Sequence, residues 1–163
     1  MPSLFSLCQW LEHTSIGTAV RESLWLFPVI ETVHLFGIVI LVGSTSALDL
    51  RLLGLAMREQ SVSKLAERLL PWAWIGFIIQ VVTGVLLFAS EATKCYTNLG
   101  FQIKMLLIVL AGVNAVVFHS LAYRSVAKWD DAASAPFMAK FAGCMSIVLW
   151  FGIVAAGRWI AFL

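Results

Sequence analysis

Charged side chains are scarce in this sequence. Asp, Glu, Lys and Arg make up 12% of its 163 residues, whereas hydrophobic residues make up 61%, and the mean hydropathy is +0.93. A soluble domain of this length does not need so apolar a composition for its core, so the scarcity of charge indicates an integral membrane protein. The net charge of +2 is spread over short loops, and we therefore expect no nucleic-acid surface.

Cysteine and clustered metal ligands are also scarce. The three cysteines, Cys8, Cys95 and Cys144, show no CxxC spacing, so the sequence does not predict a structural zinc site. Met105 and Met145 are isolated, and no cluster of Met and His residues occurs, which disfavours a copper site.

Long apolar runs are what the sequence has instead. Four runs of about 20 residues are long enough to cross about 30 Å of hydrocarbon at about 1.5 Å per residue. They are residues 24–48, 71–90, 101–121 and 141–163. These runs predict an all-α fold, a four-helix bundle in the membrane that forms one domain over residues 1–163. Little chain lies outside the runs, so any chemistry must lie in the bundle or at its rims.

The segments around the first two spans have their own patterns. Residues 1–23 lack a basic n-region and a small-residue cleavage site, so we expect no removable signal peptide. Their apolar residues recur at helical spacing, which predicts an amphipathic helix that either lies in the membrane interface or packs on the bundle. Before the second span, residues 61–70 predict a short helix that leads into Pro71.

The distribution of cations predicts the topology. Most of them follow the first and third spans, as Arg51, Arg58, Lys64, Arg68, Arg124, Lys128 and Lys140. By the positive-inside rule these two connections face the cytoplasm. We therefore predict a multi-pass protein of the bacterial inner membrane with both termini in the periplasm. This topology places Cys8 and Cys95 on the outer side, where a disulfide between them is an alternative to two free thiols.

Ionisable residues interrupt the apolar runs in two layers. Toward the outer side lie Glu31 and His34 of the first span, Lys104 of the third and Arg158 of the fourth. An inner layer, about 22 Å away along the helix axis, holds Asp49, Arg51, His119 and Arg124. Ionisable residues within a membrane span are rare and usually functional. Gln80 and Asn114 are expected to form hydrogen bonds between helices, and the glycines of the spans to allow close helix packing.

Two interpretations of the outer layer remain open. Glu31 could form a structural ion pair with Lys104 or Arg158, with His34 satisfied by hydrogen bonds. Alternatively, His34 ligates a metal or transfers a proton. Haem is the natural cofactor of a helical bundle, because imidazole ligates its iron and nearby cations can pair with its propionates. His34 and His119 lie in different layers, so they cannot ligate one haem within a single chain.

Several motifs make the chain resemble known families. Nearly its whole length resembles a family of uncharacterised bacterial four-span membrane proteins, and the motifs are LFPVIETVHLFG, LDLRLLG, LPWAWIGF, FQIK and GRWIAF. More distantly, the chain resembles the HemJ-type protoporphyrinogen oxidases and copper-resistance membrane proteins of similar layout. The HemJ resemblance implies haem b bound with the help of a His and a Lys, and His34 and Lys104 are the matching positions.

The sequence therefore predicts a protein that binds haem b near the outer leaflet through His34 and serves electron transfer. Glu31, Lys104, Arg158 and His119 are the other candidate cofactor-binding residues. The expected partners are the lipid bilayer, a quinol or another membrane or periplasmic redox partner, and further copies of the chain in a homo-oligomer. The alternatives are a cofactor-free membrane subunit for ion or proton passage or for complex assembly, and a HemJ-like porphyrinogen oxidase.

Overall fold

The computed structural model describes residues 4–130, 135–160 and 162. Within these ranges the chain forms seven α-helices and no strand. They are α1 (Leu4–Glu12), α2 (Ser15–Glu22), α3 (Leu26–Leu53), α4 (Val62–Ser90), α5 (Ala92–Thr97), α6 (Leu99–Val117) and α7 (Phe137–Trp159). A π-helical turn, Phe118–Ala122, and a 3-10 segment, Tyr123–Lys128, prolong α6.

Four of the helical segments are long and apolar enough to cross a membrane: α3, α4, α6 with its extension, and α7. This finding confirms the predicted all-α membrane bundle. The helices exceed the apolar runs, because α3 continues to Leu53 and α4 begins at Val62. Pro71 lies inside α4, so the short helix predicted before it is continuous with the second span. The predicted end of the fourth span, residue 163, lies outside the described residues.

The ends of these helices have local causes. Gly54 ends α3 by adopting a left-handed conformation, with φ of 72°, and its N–H donates to the carbonyl groups of Arg51 and Leu50. Asn98 begins α6, because its side-chain oxygen accepts from the Phe101 N–H at 3.1 Å. The Asn98 amide also donates to the Ile160 carbonyl at 3.1 Å, which joins the start of α6 to the end of α7.

The four long helices pack in series. α3 packs on α4 and on α7, and α7 packs on α6. In the described ranges α4 and α6 make little contact along their lengths. They approach at one end through the stacked rings of Phe88 and Phe101, whose centroids are 5.4 Å apart. At the other end α4 contacts the segment Tyr123–Lys128. A gap between α4 and α6 therefore lies between two points of contact.

The crossing of α3 and α4 depends on two glycines. A Cβ atom on Gly76 would lie 2.6 Å from the Leu41 nitrogen and 3.0 Å from the Gly37 carbonyl oxygen. A Cβ atom on Gly37 would lie 2.7 Å from Cγ2 of Ile79. The close contact at Gly37 confirms for this residue the predicted role of span glycines in close helix packing. Gly43 and Gly112 do not have this role, because a Cβ atom on either would meet no atom within 4 Å.

The short helices lie together at one end of the bundle. α1 packs on α5, and α2 packs on α4 and α3. The Glu12 carboxylate fastens α1, because it accepts from the N–H and the hydroxyl of Thr93 at 2.9 and 2.7 Å. Residues 4–22 therefore pack on the bundle. We call the end that carries α1, α2 and α5 the outer end, and the opposite one the inner end, after the predicted topology.

Candidate functional site

His34 points from α3 toward α4, where Thr83 holds its ring. The distance between His34 Nδ1 and Thr83 Oγ1 is 2.7 Å. The Thr83 hydroxyl lies 2.6 Å from the Ile79 carbonyl, to which it donates its single proton. This donation assigns Thr83 Oγ1 as the acceptor in its bond with His34 and places the imidazole proton on Nδ1, whereas the other tautomer would reverse the two roles.

This assignment leaves the other ring nitrogen of His34 unprotonated. Nε2 has a lone pair, and the ring makes no hydrogen bond to any described residue besides Thr83. Gly84 is next to Thr83, and a Cβ atom there would lie 3.5 Å from His34 Cε1. Because Gly84 has no side chain, α4 leaves space beside the imidazole ring. The backbone of His34 is held as well, because the Gln80 amide donates to its carbonyl. This bond confirms the role predicted for Gln80.

Lys104 lies on α6 near the same depth. Its side chain covers Gly157 of α7, and its Nζ would be 3.6 Å from a Cβ atom on that glycine. Lys104 interacts electrostatically with His34 and with Cys95. Its ammonium makes no hydrogen bond or ion pair with the residues that the structure describes. His34 and Lys104 are therefore two predicted site residues that lie within range of an electrostatic interaction.

The other residues of the predicted outer layer point elsewhere. Glu31 and Arg158 are exposed. His34 faces α4. Residues three apart on a helix differ in direction by about 60°, so the Glu31 side chain points away from the face of α3 that packs on α4. Neither residue forms an ion pair within the described ranges. The hydrogen-bond partner of the His34 ring is instead Thr83, a residue that the sequence patterns did not indicate.

The four residues of the predicted inner layer also differ in burial. Asp49 and Arg51 are buried, at 7% and 2% exposure. His119 and Arg124 are exposed, and the His119 ring stacks on Tyr123 with centroids 5.3 Å apart. His119 thus lies in the π-helical turn, away from His34. Asn114 donates to the Ala142 carbonyl at 3.0 Å, which confirms its predicted role between helices.

A polar clasp, formed by Arg51, Gln60, Ser63 and Asp130, closes the inner end. Arg51 Nε donates to the Gln60 carbonyl at 2.7 Å. The Asp130 carboxylate accepts from the Ser63 N–H at 2.8 Å and from the Ser63 hydroxyl. Asp130 thereby caps α4 from 67 residues further along the chain. Sequence reasoning missed it, because its local sequence contains no sign of so distant a partner.

Replacing Asp130 with Ala is expected to lower the free energy of unfolding by about 1 kcal/mol, the usual effect of losing a helix cap. Burial alone would raise the pKa of Asp130, but hydrogen bonds from Ser63 and Val62 and the charge of Arg51 bring the pKa below its ordinary value of 3.8. Because the folded-state pKa is lowered, this contribution is complete above the unfolded-state pKa and is lost as pH falls through the folded-state pKa. Thermal unfolding against pH measures it.

The exposed Glu59 provides the control for this prediction. Glu59→Ala removes a carboxylate from the connection between α3 and α4, also at the inner end, without removing a cap, so we expect unchanged stability. If the stability of Asp130→Ala falls with decreasing pH along the same curve as that of the unsubstituted protein, the role given to Asp130 is contradicted.

The cysteines and the outer clefts complete the description. Cys8, Cys95 and Cys144 are free thiols, so the structure contains no Cys8–Cys95 disulfide. Burial raises the pKa of the Cys95 thiol. No three His, Cys, Asp or Glu side chains converge in the described ranges. Two apolar clefts of about 330 and 390 Å³ share Phe88 and Tyr96, and neither is lined by His34.

These observations define the class of protein: a multi-pass α-helical membrane protein with a hydrogen-bonded histidine inside its first span. The chain belongs to a family of unknown function, DUF6644, whose model matches residues 9–163. Comparison with curated proteins and with solved structures found no match. The membership confirms the resemblance to an uncharacterised family, whereas the more distant resemblance to HemJ-type oxidases stays a prediction.

Proposed function

We propose that this protein binds haem b through His34, near the outer end of the bundle, and passes single electrons across the outer half of a bacterial inner membrane. The observation that carries the proposal is the hydrogen-bonded chain from His34 Nδ1 through Thr83 to the Ile79 carbonyl. A histidine that ligates a metal usually donates its other ring N–H to an acceptor, which fixes the ring and its tautomer. The 2.7 Å distance between His34 Nδ1 and Thr83 Oγ1 supports the same arrangement for His34.

The residues around His34 suit haem in three respects. Nε2 offers a lone pair for iron. Gly84 has no side chain and leaves space beside the His34 ring, and Gly157 likewise leaves space beside the Lys104 side chain. Lys104 has no anionic partner among the described residues, so its charge is available for a propionate. His34 and Lys104 would hold the group, which would supply a reversible one-electron couple. Glu31 and Arg158, being exposed, would act at most from the rim.

The proposal includes the partners and the orientation that such a function requires. The electron donor would be a quinol or a membrane dehydrogenase, and the acceptor would lie on the periplasmic side, where both termini are predicted. A homo-oligomer would provide further ligands, because one chain offers few. The four apolar helices would lie in the lipid bilayer, which matches their length and composition.

The visible spectrum of the detergent-purified protein, oxidised and then reduced with dithionite, tests the proposal. We expect a Soret band and sharper bands on reduction, in the protein as isolated or after addition of hemin. A flat spectrum from folded protein that hemin does not change would refute haem binding.

Replacing Thr83 with Val is expected to weaken haem binding by about 10- to 100-fold, the usual effect of losing a hydrogen bond to a metal-ligating histidine. Valine has nearly the shape of threonine but cannot accept the Nδ1 proton, so the ring loses its fixed tautomer. Titration with hemin, followed at the Soret band, measures the change in dissociation constant.

Thr32→Val is the matched control, because the Thr32 hydroxyl donates to the Pro28 carbonyl on the exposed side of the same helix as His34. We expect its affinity for hemin to be unchanged. Equal affinities in Thr83→Val and Thr32→Val would show that Thr83 does not support a ligand.

A further inference from the structure

Asp49 is a buried carboxyl group that the proposed haem site does not use. It lies in the inner half of α3 with 7% of its surface exposed. It faces α7, where a Cβ atom on Gly143 would lie 3.3 Å from the Asp49 carbonyl oxygen. Ser146, one turn further along α7, is the polar side chain that interacts with the Asp49 carboxyl from that helix. The two helices are therefore in close contact at this group.

Among the described residues, no cation compensates the charge that an ionised Asp49 would carry. Asp49 forms no ion pair in the described part of the chain, and its Oδ2 atom has no hydrogen-bond partner there. Arg51 is only two residues away, but its guanidinium is directed to Gln60 and Asp130.

The charged groups of the neighbouring elements are also directed away from Asp49. On the inner part of α4, Lys64, Glu67 and Arg68 are exposed. On α7, Lys140 is half-buried, and His119 of the π-helical turn is exposed. None of them forms an ion pair with Asp49, and Ser146 is the polar group that faces it from α7.

A carboxylate in these surroundings would be a single uncompensated charge between two apolar helices. Burial of an ionised group without a partner is strongly unfavourable, and such a group takes up a proton instead. A neutral acid fits the observed surroundings, because it requires no counter-ion and a single serine hydroxyl does not compensate a buried charge. Its second oxygen can remain without a partner far more readily than a charged one could.

We propose that Asp49 is a proton-binding site, that the packing of α3 on α7 seen here is its protonated state, and that loss of the proton loosens this packing. The proton comes from water at the inner end and returns to it, so the reaction makes and breaks one O–H bond. This site is distinct from His34, which lies about 22 Å away along α3. It acts whether or not haem binds.

Infrared spectroscopy of the full-length protein in lipid vesicles tests this proposal directly. A protonated carboxyl group has a carbonyl stretch separate from the carboxylate bands. We expect this band at neutral pH, its loss in Asp49→Asn, and its retention in Asp130→Asn, where the replaced aspartate accepts three hydrogen bonds at a helix end. Ser146→Ala should shift the band, because the polar side chain that interacts with the acid is removed.

Stability against pH provides a second readout. The unsubstituted protein should lose thermal stability as the pH rises and Asp49 ionises, whereas Asp49→Asn should not show this loss, because Asn has nearly the shape of the neutral acid and no charge. Absence of the band in folded protein at neutral pH, or a band that Asp49→Asn leaves intact, would overturn the proposal. If Asp49→Asn does not fold, a carboxyl band of the unsubstituted protein that stays unchanged as the pH rises while stability is lost overturns it equally.

Discussion

Replacing His34 with Ala is expected to abolish bound haem while the protein still folds. The substitution removes the imidazole whose Nε2 is available for iron, so its effect should exceed the about 10- to 100-fold loss expected when only a supporting hydrogen bond is removed. Folding should be retained, because the α3–α4 contact depends on Gly37, Gly76 and Leu41 rather than on the imidazole. The absorbance ratio of the Soret band to protein, with circular dichroism as the check on folding, measures the result.

His119→Ala is the matched control, since His119 is exposed and its ring stacks on Tyr123 in the π-helical turn. We expect it to retain haem. Equal loss of haem from both variants would contradict a single site at the outer end and indicate two haems or a site shared between subunits. Normal haem content in His34→Ala would refute the proposed ligand.

Replacing Gly76 with Ala is expected to destabilise the bundle by about 1–3 kcal/mol, the range found when a well-packed core receives an additional methyl group. The new Cβ atom would lie 2.6 Å from the backbone nitrogen of Leu41. A backbone atom cannot move aside as the end of a flexible side chain can, so α3 and α4 would have to separate. Because His34 and Thr83 lie on these two helices, the separation should also weaken the bond that orients the imidazole. Unfolding in mixed micelles with increasing SDS measures the stability.

Gly112→Ala is the control for this prediction, since a Cβ atom there meets no other atom within 4 Å. Alanine is the better helix former by up to about 1 kcal/mol, so we expect unchanged or slightly increased stability. Similar unfolding curves for the two variants would show that the α3–α4 crossing tolerates more space than the structure indicates.

The fold was largely predictable because the hydrocarbon core of a bilayer imposes both the length and the composition of a span. Four apolar runs were enough to predict four long helices, and the amides of Gln80 and Asn114 were enough to predict hydrogen bonds between helices. The helix ends were less predictable. α4 begins nine residues before Pro71, and its first turn is stabilised because Val62 is fully buried in a hydrophobic cluster with Leu52, Ala122 and Ala139. Such packing involves distant parts of the chain and leaves no local pattern.

The candidate site was only partly predictable, because depth in the membrane can be read from the sequence whereas direction around the helix axis is set by the neighbouring helices. His34 and Lys104 were predicted at a common depth, and in the structure they lie within range of an electrostatic interaction. Glu31 and Arg158 were predicted at that depth too, yet both are exposed. Thr83 could have been noticed as a hydroxyl beside a glycine in an apolar run, but its bond to His34 requires the α3–α4 crossing. No feature of the sequence predicted the clasp between Asp130 and the start of α4.

The packing of the long helices in series has a consequence for how molecules reach the interior. Between the Phe88–Phe101 stack and the contact of α4 with Tyr123–Lys128, α4 and α6 make little contact in the described ranges, so in a bilayer lipid acyl chains would lie between them. A reactant that partitions into the bilayer would approach between these two helices by diffusion in two dimensions, without crossing a headgroup layer. Its encounter rate would therefore depend on its concentration in the membrane, and reconstitution at different lipid-to-protein ratios would change that rate at constant bulk concentration.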